Sequence, residues 1–308
     1  MVRPKKVSED VPTEEFEDYL NSLEKPLAEK SAKMYMNQYK LIRDKVKKDL
    51  TDMSVSDIEK YLDGVPNMNT RKNHLNIFIM LKRAKNGITN EELLDKELIK
   101  EKYPEYAKLY DLRTSLKQSI ETALKEKNVD LCETLPEYKE LTDFAKKQTG
   151  RAYLVNYILL NYGVRAQDLD TTITNQEIND KEHNFLILDT DKKSVDYIRN
   201  RYKTIGSHGA QLQTITDKKF VATVKDLLRD HNSVKMFDLK QADKALRQFT
   251  YKGLSESEYF KILVCYLYET KQMTKLFKMG KTRGTNIDII LKNYNINYKP
   301  EIKDDDDD

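Results

Sequence analysis

The chain has 308 residues, of which 39% are hydrophobic and 34% are charged. This length allows two domains whose cores need no disulfide support, and the composition excludes a disordered or fibrous protein and favours a helix-rich soluble one. The net charge is +3, but Asp304 to Asp308 hide part of the basic balance: without them, 54 basic residues oppose 46 acidic ones, which gives +8. A mildly basic chain is compatible with nucleic-acid binding and also with a charged surface that only serves solubility.

The two cysteines, Cys132 and Cys265, are far apart and have no metal-ligand spacing, which favours a reducing intracellular compartment. No apolar run approaches the roughly 20 residues of a membrane span. The opening segment also lacks the apolar stretch of a secretory signal. We therefore expect no membrane partner and a location in the cytoplasm or nucleus of a host cell, or in a virion.

Four amphipathic helices are predicted between residues 12 and 89, after a flexible N-terminus at 1–11. The second helix has a face crowded with lysine. The third is expected to begin after a capping serine, Ser54, and to stop at Gly64, and the fourth to end before Gly87. This spacing predicts a compact helical module.

The stretch 90–134 is charged and weakly periodic, which predicts a long exposed helix that breaks near Pro104. It is interpreted as a helical linker or insertion. The next domain, 135–298, opens with two helices, the second apolar enough to be buried. The run 299–308 is expected to be an acidic disordered tail.

Between His183 and Asp217 the pattern changes to β-rich segments, which are "NFLILD", "SVDYIRNRYKT" and "AQLQTIT". The glycines of "IGSHG" favour a turn between the last two. Helices then continue to the end of the domain. These elements predict a mainly α fold with a small antiparallel β-sheet, in the α+β class.

The stretch "YILLNYGVRAQDLD" carries the most specific pattern in the chain. It places Arg165 after a glycine that permits a sharp bend, between an apolar helix and an acidic helix start. The planar guanidinium of an arginine suits two phosphate oxygens at once. The alternative is an ordinary capping arginine or one paired with Asp168 or Asp170.

This stretch resembles the tyrosine recombinase and phage-type integrase family, in which an apolar helix is followed by Gly-(Leu/Val)-Arg, a polar pair and Asp/Glu-Leu. Downstream, "YIRNRYKTIGSHGAQLQTIT" is similar to the family's lysine-bearing hairpin, and "LFKMGKTRGTNIDIILKNY" to the segment with its Gly-His pair and nucleophilic tyrosine. The resemblance extends over 12–298. It implies that 12–89 is a helical core-binding-like DNA-binding domain and that 135–298 is a tyrosine-recombinase-like catalytic-type domain.

Enzymes of this family cut DNA when a tyrosine attacks a phosphodiester and forms a 3′-phosphotyrosyl bond, without a metal or other cofactor. The resemblance implies that Arg165 is the first phosphate-binding arginine and that Lys203 is the hairpin lysine that protonates the leaving oxygen. Lys281 stands where the Gly-His pair has its histidine. The tyrosine position is Ile290, and the candidate nucleophile is Tyr294, one helical turn later.

The family's His-x-x-Arg motif has no counterpart here. Its window falls on Ser257 to Phe260, and no histidine follows His231. Because removal of one preorganised donor typically costs about 10²–10³ in rate, we expect weakened or lost cleavage, unless Arg247, Arg283 or Lys261 folds back into the gap.

Two of these candidates have simpler structural interpretations: Lys203 as a charge that protects an edge strand, and Tyr294 as a tyrosine packed on the core. Other basic side chains are candidates for contact with the phosphates of double-stranded DNA. They are Lys33, Lys40, Arg43, Arg199, Arg201, His208 and Arg283. A homo-oligomer on DNA is left open.

Three functions follow from the sequence. The first is DNA binding with a decayed cutting site, and the second is a divergent but active integrase that uses Tyr294. The third is a structural or DNA-packaging component of a large DNA virus with viral structural partners, suggested by the missing catalytic residues, the near-balanced charge and the abundance of Lys, Asn, Ile and Tyr. A metal site and a P-loop are not expected, because neither motif is present.

Overall fold

The computed structural model describes residues 13–21, 23, 27, 29–176, 178–237 and 242–295, apart from the side chains of 13–15, 30 and 128–133. The segments 1–11 and 299–308, for which the sequence predicts flexible ends, lie outside these residues. The chain divides into two compact units, Met1–Lys127 and Asn128–Asp308. The described residues are mainly helical with one small sheet, which confirms the α+β class.

The first unit is built from helices. They are α1 (Thr13–Asn21), α2 (Glu29–Val46), α3 (Val55–Asp63), α4 (Met68–Asn86), α5 (Lys96–Lys102) and the beginning of α6 (Pro104–Thr134). Ser54 caps α3 and Gly87 ends α4 in the left-handed region, as the sequence predicts. Pro104 occupies the first position of α6, where its missing N–H removes no helical hydrogen bond, so α5 and α6 are separate helices.

The core of the first unit also includes part of the stretch that was expected to be a linker. Its most buried side chains include Phe16, Ile42, Ile58, Leu75 and Phe78. Ile99, Tyr106 and Leu109 belong to the same cluster. The apolar residues of this stretch are sparse, so its periodicity is weak, yet they pack against the N-terminal helices.

The second unit contains the sheet and the remaining helices. In chain order these are α7 (Tyr138–Lys147), α8 (Gly150–Tyr162), β1 (Thr171–Thr174), β2 (Asn184–Asp189), β3 (Ser194–Arg199), α9 (Ile205–His208), β4 (Gln211–Ile215), α10 (Lys218–Leu227), β5 (Ser233–Lys235), α11 (Ala242–Arg247), α12 (Glu256–Glu269), α13 (Met273–Arg283) and α14 (Ile287–Tyr294). As predicted, α8 is buried: Leu154, Val155 and Ile158 are fully enclosed in the core.

The sheet is mixed, which corrects the antiparallel prediction. Its strand order is β4-β3-β2-β1-β5, and β1 runs parallel to β2 while the other pairs are antiparallel. The sequence does not reveal β1 and β5 because both are short and lack a clear apolar alternation. The predicted glycine turn between β3 and β4 is instead the one-turn helix α9, which ends at Gly209 with φ +66°.

Candidate phosphate-binding site

The backbone around Arg165 follows from the glycine before it. Gly163 ends α8 in the left-handed region at φ +60°, and a Cβ at this position would lie 2.7 Å from the ring of Phe260. A larger residue would therefore be strained and would also collide. Beyond this bend, Arg165 has extended backbone, and its N–H donates to Asp168 Oδ2 at 3.3 Å.

The guanidinium of Arg165 is held by the segment that joins α13 to α14. Its Nη1 donates to the carbonyl oxygen of Arg283 at 2.6 Å, and its Nη2 donates to Thr285 Oγ1 at 3.0 Å. The side chain is half-buried. Burial and, next, the positive charge of Arg283 lower the pKa of Arg165. Both terminal nitrogens of Arg165 therefore have protein partners.

Arg283 lies inside the fold, beside Arg165. Only 2% of it is exposed. Its Nη1 donates to the carbonyl of Gly163 at 2.8 Å, and its Nη2 forms an ion pair with Glu256 Oε1 at 2.6 Å. Burial raises the pKa of Glu256, and the neighbouring Arg283 opposes that shift. The sequence offers Arg283 both as a candidate for DNA contact and as a residue that could fold back into the gap of the missing motif. Its contacts with Arg165 and Tyr294 agree with the second possibility, and its 2% exposure leaves little surface for direct contact with DNA.

Tyr294 reaches the same cluster from α14. Its hydroxyl accepts a hydrogen bond from Arg283 Nη2 at 3.3 Å, and its ring packs edge-on against Phe260 at 4.8 Å between centroids. Ile290, at the position where the resemblance implies a tyrosine, is fully buried. The one-turn displacement considered in the sequence thus brings Tyr294, and not residue 290, to the two arginines.

Arg199 forms a second buried pair next to this cluster. Its side chain is fully buried; Nη1 pairs with Asp168 Oδ2 at 3.1 Å, and Nη2 donates to the carbonyl of Thr282 at 2.8 Å and to the side chain of Gln211. Burial raises the pKa of Asp168, opposed chiefly by Arg199. Arg199 is one of the DNA-contact candidates of the sequence, and its full burial leaves it no exposed surface for a phosphate.

Lys203 and Arg201 are exposed on the segment between β3 and α9. The next residue, Thr204, lies so close to Gly284 that a Cβ there would collide with it, and His208 lies against the same glycine. The lysine-bearing segment therefore packs on the turn that holds Arg165. The structure shows no direct contact of Lys203 with Arg165 or Tyr294.

A cleft of about 530 Å³ lies beside this cluster, and we call it the lysine cleft. Lys275, Lys278 and Lys281 of α13 line it, together with His208. None of the described residues that line it is acidic. Lys281 thus belongs to this cleft. Lys275 and Lys278 are not among the candidates from the sequence, although their spacing of three residues in "TKLFKMGKT" places them on one helical face with Lys281.

The remaining DNA-contact candidates, Lys33, Lys40 and Arg43, lie on α2 in the first unit; the two lysines are exposed and Arg43 is half-buried. Within the described part of the chain, no group of three His, Cys, Asp or Glu side chains is placed to hold a metal ion. None of the described helices combines the length and the apolar character that a membrane span requires.

No protein-family model matches the chain, and no curated protein is significantly similar to it in sequence. Among solved structures, the crystal structure of XerA recombinase is similar to this one with a TM-score of 0.32 and 12% sequence identity, over 92% of each chain. So low a TM-score does not establish a common fold. Any assignment of function therefore depends on the contacts within this chain.

Proposed function

We propose that this protein binds double-stranded DNA through the lysine cleft and that it has lost efficient strand cleavage. The observation that carries this proposal is the charge of the cleft: three ammonium groups and an imidazole line it without a lining carboxylate in the described residues. Backbone phosphates are the ligands that such a surface attracts, and they supply most of the affinity of non-specific DNA binding.

The geometry of α13 fits a run of phosphates. Lys275 and Lys281 are six residues apart, which corresponds to about 9 Å of helix axis. One strand of duplex DNA carries a phosphate per about 3.4 Å of its axis. The three lysines can therefore face two or three neighbouring phosphates of one strand.

Loss of cleavage is proposed from the partners of the arginines. A pentavalent phosphorane needs cations that are preorganised and free to receive its oxygens. Arg165 donates two of its five N–H groups to protein oxygens, whereas Arg283 is 2% exposed and is paired with the carboxylate of Glu256. A cation that cannot reach the phosphorane typically costs about 10²–10³ in rate, so the enclosed pairing of Arg283 supports weakened cleavage.

The test compares two variants of equal charge. Replacement of Lys275, Lys278 and Lys281 by glutamine should weaken binding to a labelled duplex roughly tenfold or more at moderate salt, measured by fluorescence anisotropy. The control replaces Lys218, Lys225 and Lys244, which are exposed on α10 and α11. Equal affinity losses in both variants would contradict the proposal.

The second candidate is a divergent integrase that uses Tyr294, and one contact favours it. Arg283 Nη2 donates to the Tyr294 hydroxyl at 3.3 Å, which positions beside a cation the oxygen that would attack a phosphodiester. Incubation with a nicked suicide duplex should then trap a covalent adduct that Tyr294→Phe abolishes. DNA that binds without any adduct excludes this candidate and leaves the first proposal intact.

A further inference from the structure

The lysine cleft has a second possible ligand within the same chain. The segment Asp304–Asp308 consists of five aspartates and lies outside the described residues. A run of carboxylates resembles a run of phosphates in the spacing and sign of its charges. We propose that this acidic segment occupies the lysine cleft of its own chain when DNA is absent and competes with DNA for Lys275, Lys278 and Lys281.

The cleft and the acidic segment carry opposite charges. The cleft offers three lysines and His208 without a lining carboxylate among the described residues. The five aspartates follow Lys303 without interruption and form the densest negative run in the sequence. Opposite charges on two such surfaces attract each other strongly at low salt, and the attraction is screened beyond about 10 Å at 0.1 M.

The chain after α14 is long enough to bring the acidic segment to the lysine cleft. The last described residue, Asn295, directly follows α14, and Tyr294 contacts Arg283 on α13. Gly280, one residue before Lys281, faces the side chain of Ile290 on α14. The nine peptide units from Asn295 to Asp304 span at most about 30 Å. The acidic segment therefore starts from a helix that already packs beside the lysine-bearing helix.

Tethering makes even a weak contact effective. Attachment through so few residues gives an effective concentration on the order of 1 mM. A segment that binds with a dissociation constant of about 0.1 mM would then occupy roughly nine-tenths of the clefts. The apparent DNA affinity then falls by about tenfold, because DNA binds only the open fraction. This inference uses the same cleft as the proposed DNA binding, but the contact can be measured without DNA.

Zero-length carbodiimide crosslinking of the full chain, without DNA and at low salt, tests the contact directly. Mass spectrometry of the monomeric product should find Asp304–Asp308 joined to Lys275, Lys278 or Lys281 more often than to the exposed control lysines Lys218 and Lys225. The preference should vanish near 1 M salt, where the Debye length is about 3 Å. Equal yields at cleft and control lysines, or crosslinks only between two chains, would overturn the proposal.

A binding experiment tests the competition. Replacement of all five aspartates by asparagine should raise the affinity for duplex DNA about tenfold at low salt. The same change in the variant that lacks the three cleft lysines should give no gain. An equal gain in both backgrounds, which indicates general repulsion of DNA, or no gain in either overturns the competition. If no variant binds DNA, the proposed function fails, and crosslinking alone decides the contact.

Discussion

Burial of the Arg283 guanidinium costs hydration free energy, and contacts with buried partners offset this cost. It loses water almost completely and gains the Gly163 carbonyl, the Glu256 carboxylate and the Tyr294 hydroxyl. It also lies 4.0 Å from the centroid of the Phe260 ring, in a cation–π contact. Removal of one member of such a group costs more than the net strength of any single contact, because the other members stay buried without a partner.

Arg283→Ala is therefore expected to lower the free energy of unfolding by about 3–5 kcal/mol, mainly because Glu256 stays buried without its cation. Urea denaturation followed by circular dichroism measures this loss. Lys281→Ala, at an exposed position of the same helix, should change stability by no more than about 0.5 kcal/mol. A loss for Arg283→Ala as small as that of this control would contradict the account.

Local sequence explains part of the site and not the rest. The bend at Gly163 and the position of Arg165 after it are readable, because a glycine at a helix end permits positive φ. The burial of Arg283 is not readable, because its hydrogen bond to Gly163 joins residues 120 positions apart. Glu256 gives no functional signal either, since an acidic residue in the first turn of a helix is ordinary.

At the scale of elements, the turn between α13 and α14 holds the Arg165 side chain in place. It supplies both acceptors of Arg165, namely the carbonyl of Arg283 and the hydroxyl of Thr285. Gly284 sits between them at φ +61°, and a side chain there would collide with Thr204. The absence of a side chain at Gly284 therefore lets the segment that bears Lys203 pack against the turn that binds Arg165.

Gly284→Ala should destabilise the protein by about 2–4 kcal/mol, from the left-handed backbone and the clash together. The midpoint of urea unfolding provides the measurement. Gly206→Ala is the matched control, since Gly206 has ordinary φ and a Cβ added there would meet no atom within 4 Å. Similar midpoints for the two variants would show that the turn tolerates a side chain.

The predicted strands β2, β3 and β4 are confirmed; β2 has an unbroken apolar run, and β3 and β4 have apolar or β-branched residues at alternating or adjacent positions. β1 has four residues and β5 has three. Strands this short are defined by their pairing in the sheet and not by a local sequence pattern. The parallel pairing of β1 with β2 depends on the path of residues 175–183, which has no sequence signature of its own. The local sequence thus largely determines whether a segment is a helix or a strand, whereas tertiary packing determines which strands pair.

At the scale of the molecule, each compact unit has its own apolar core. The cluster of the first unit is formed by residues between Phe16 and Leu112, and the two clusters of the second by residues between Leu135 and Tyr294. None of these clusters mixes residues from the two units. Folding of one unit should therefore not require the other.

A fragment of residues 1–127 should accordingly be helical and unfold cooperatively. Circular dichroism during thermal or urea unfolding measures both properties. The full chain is the control, and its helical circular dichroism signal is followed through unfolding in the same way. A fragment that lacks helical signal, or that loses it gradually without a transition, would contradict the independence of the two cores.

The central claim is that the lysine cleft contacts DNA phosphates, and the salt dependence of binding tests it most directly. The slope of log K against log salt concentration changes by about 0.9 for each phosphate contact, so loss of the two or three contacts made by Lys275, Lys278 and Lys281 should make it shallower by about 1.8–2.7. The control variant at Lys218, Lys225 and Lys244 should keep the wild-type slope. An unchanged slope in the cleft variant would contradict the claim.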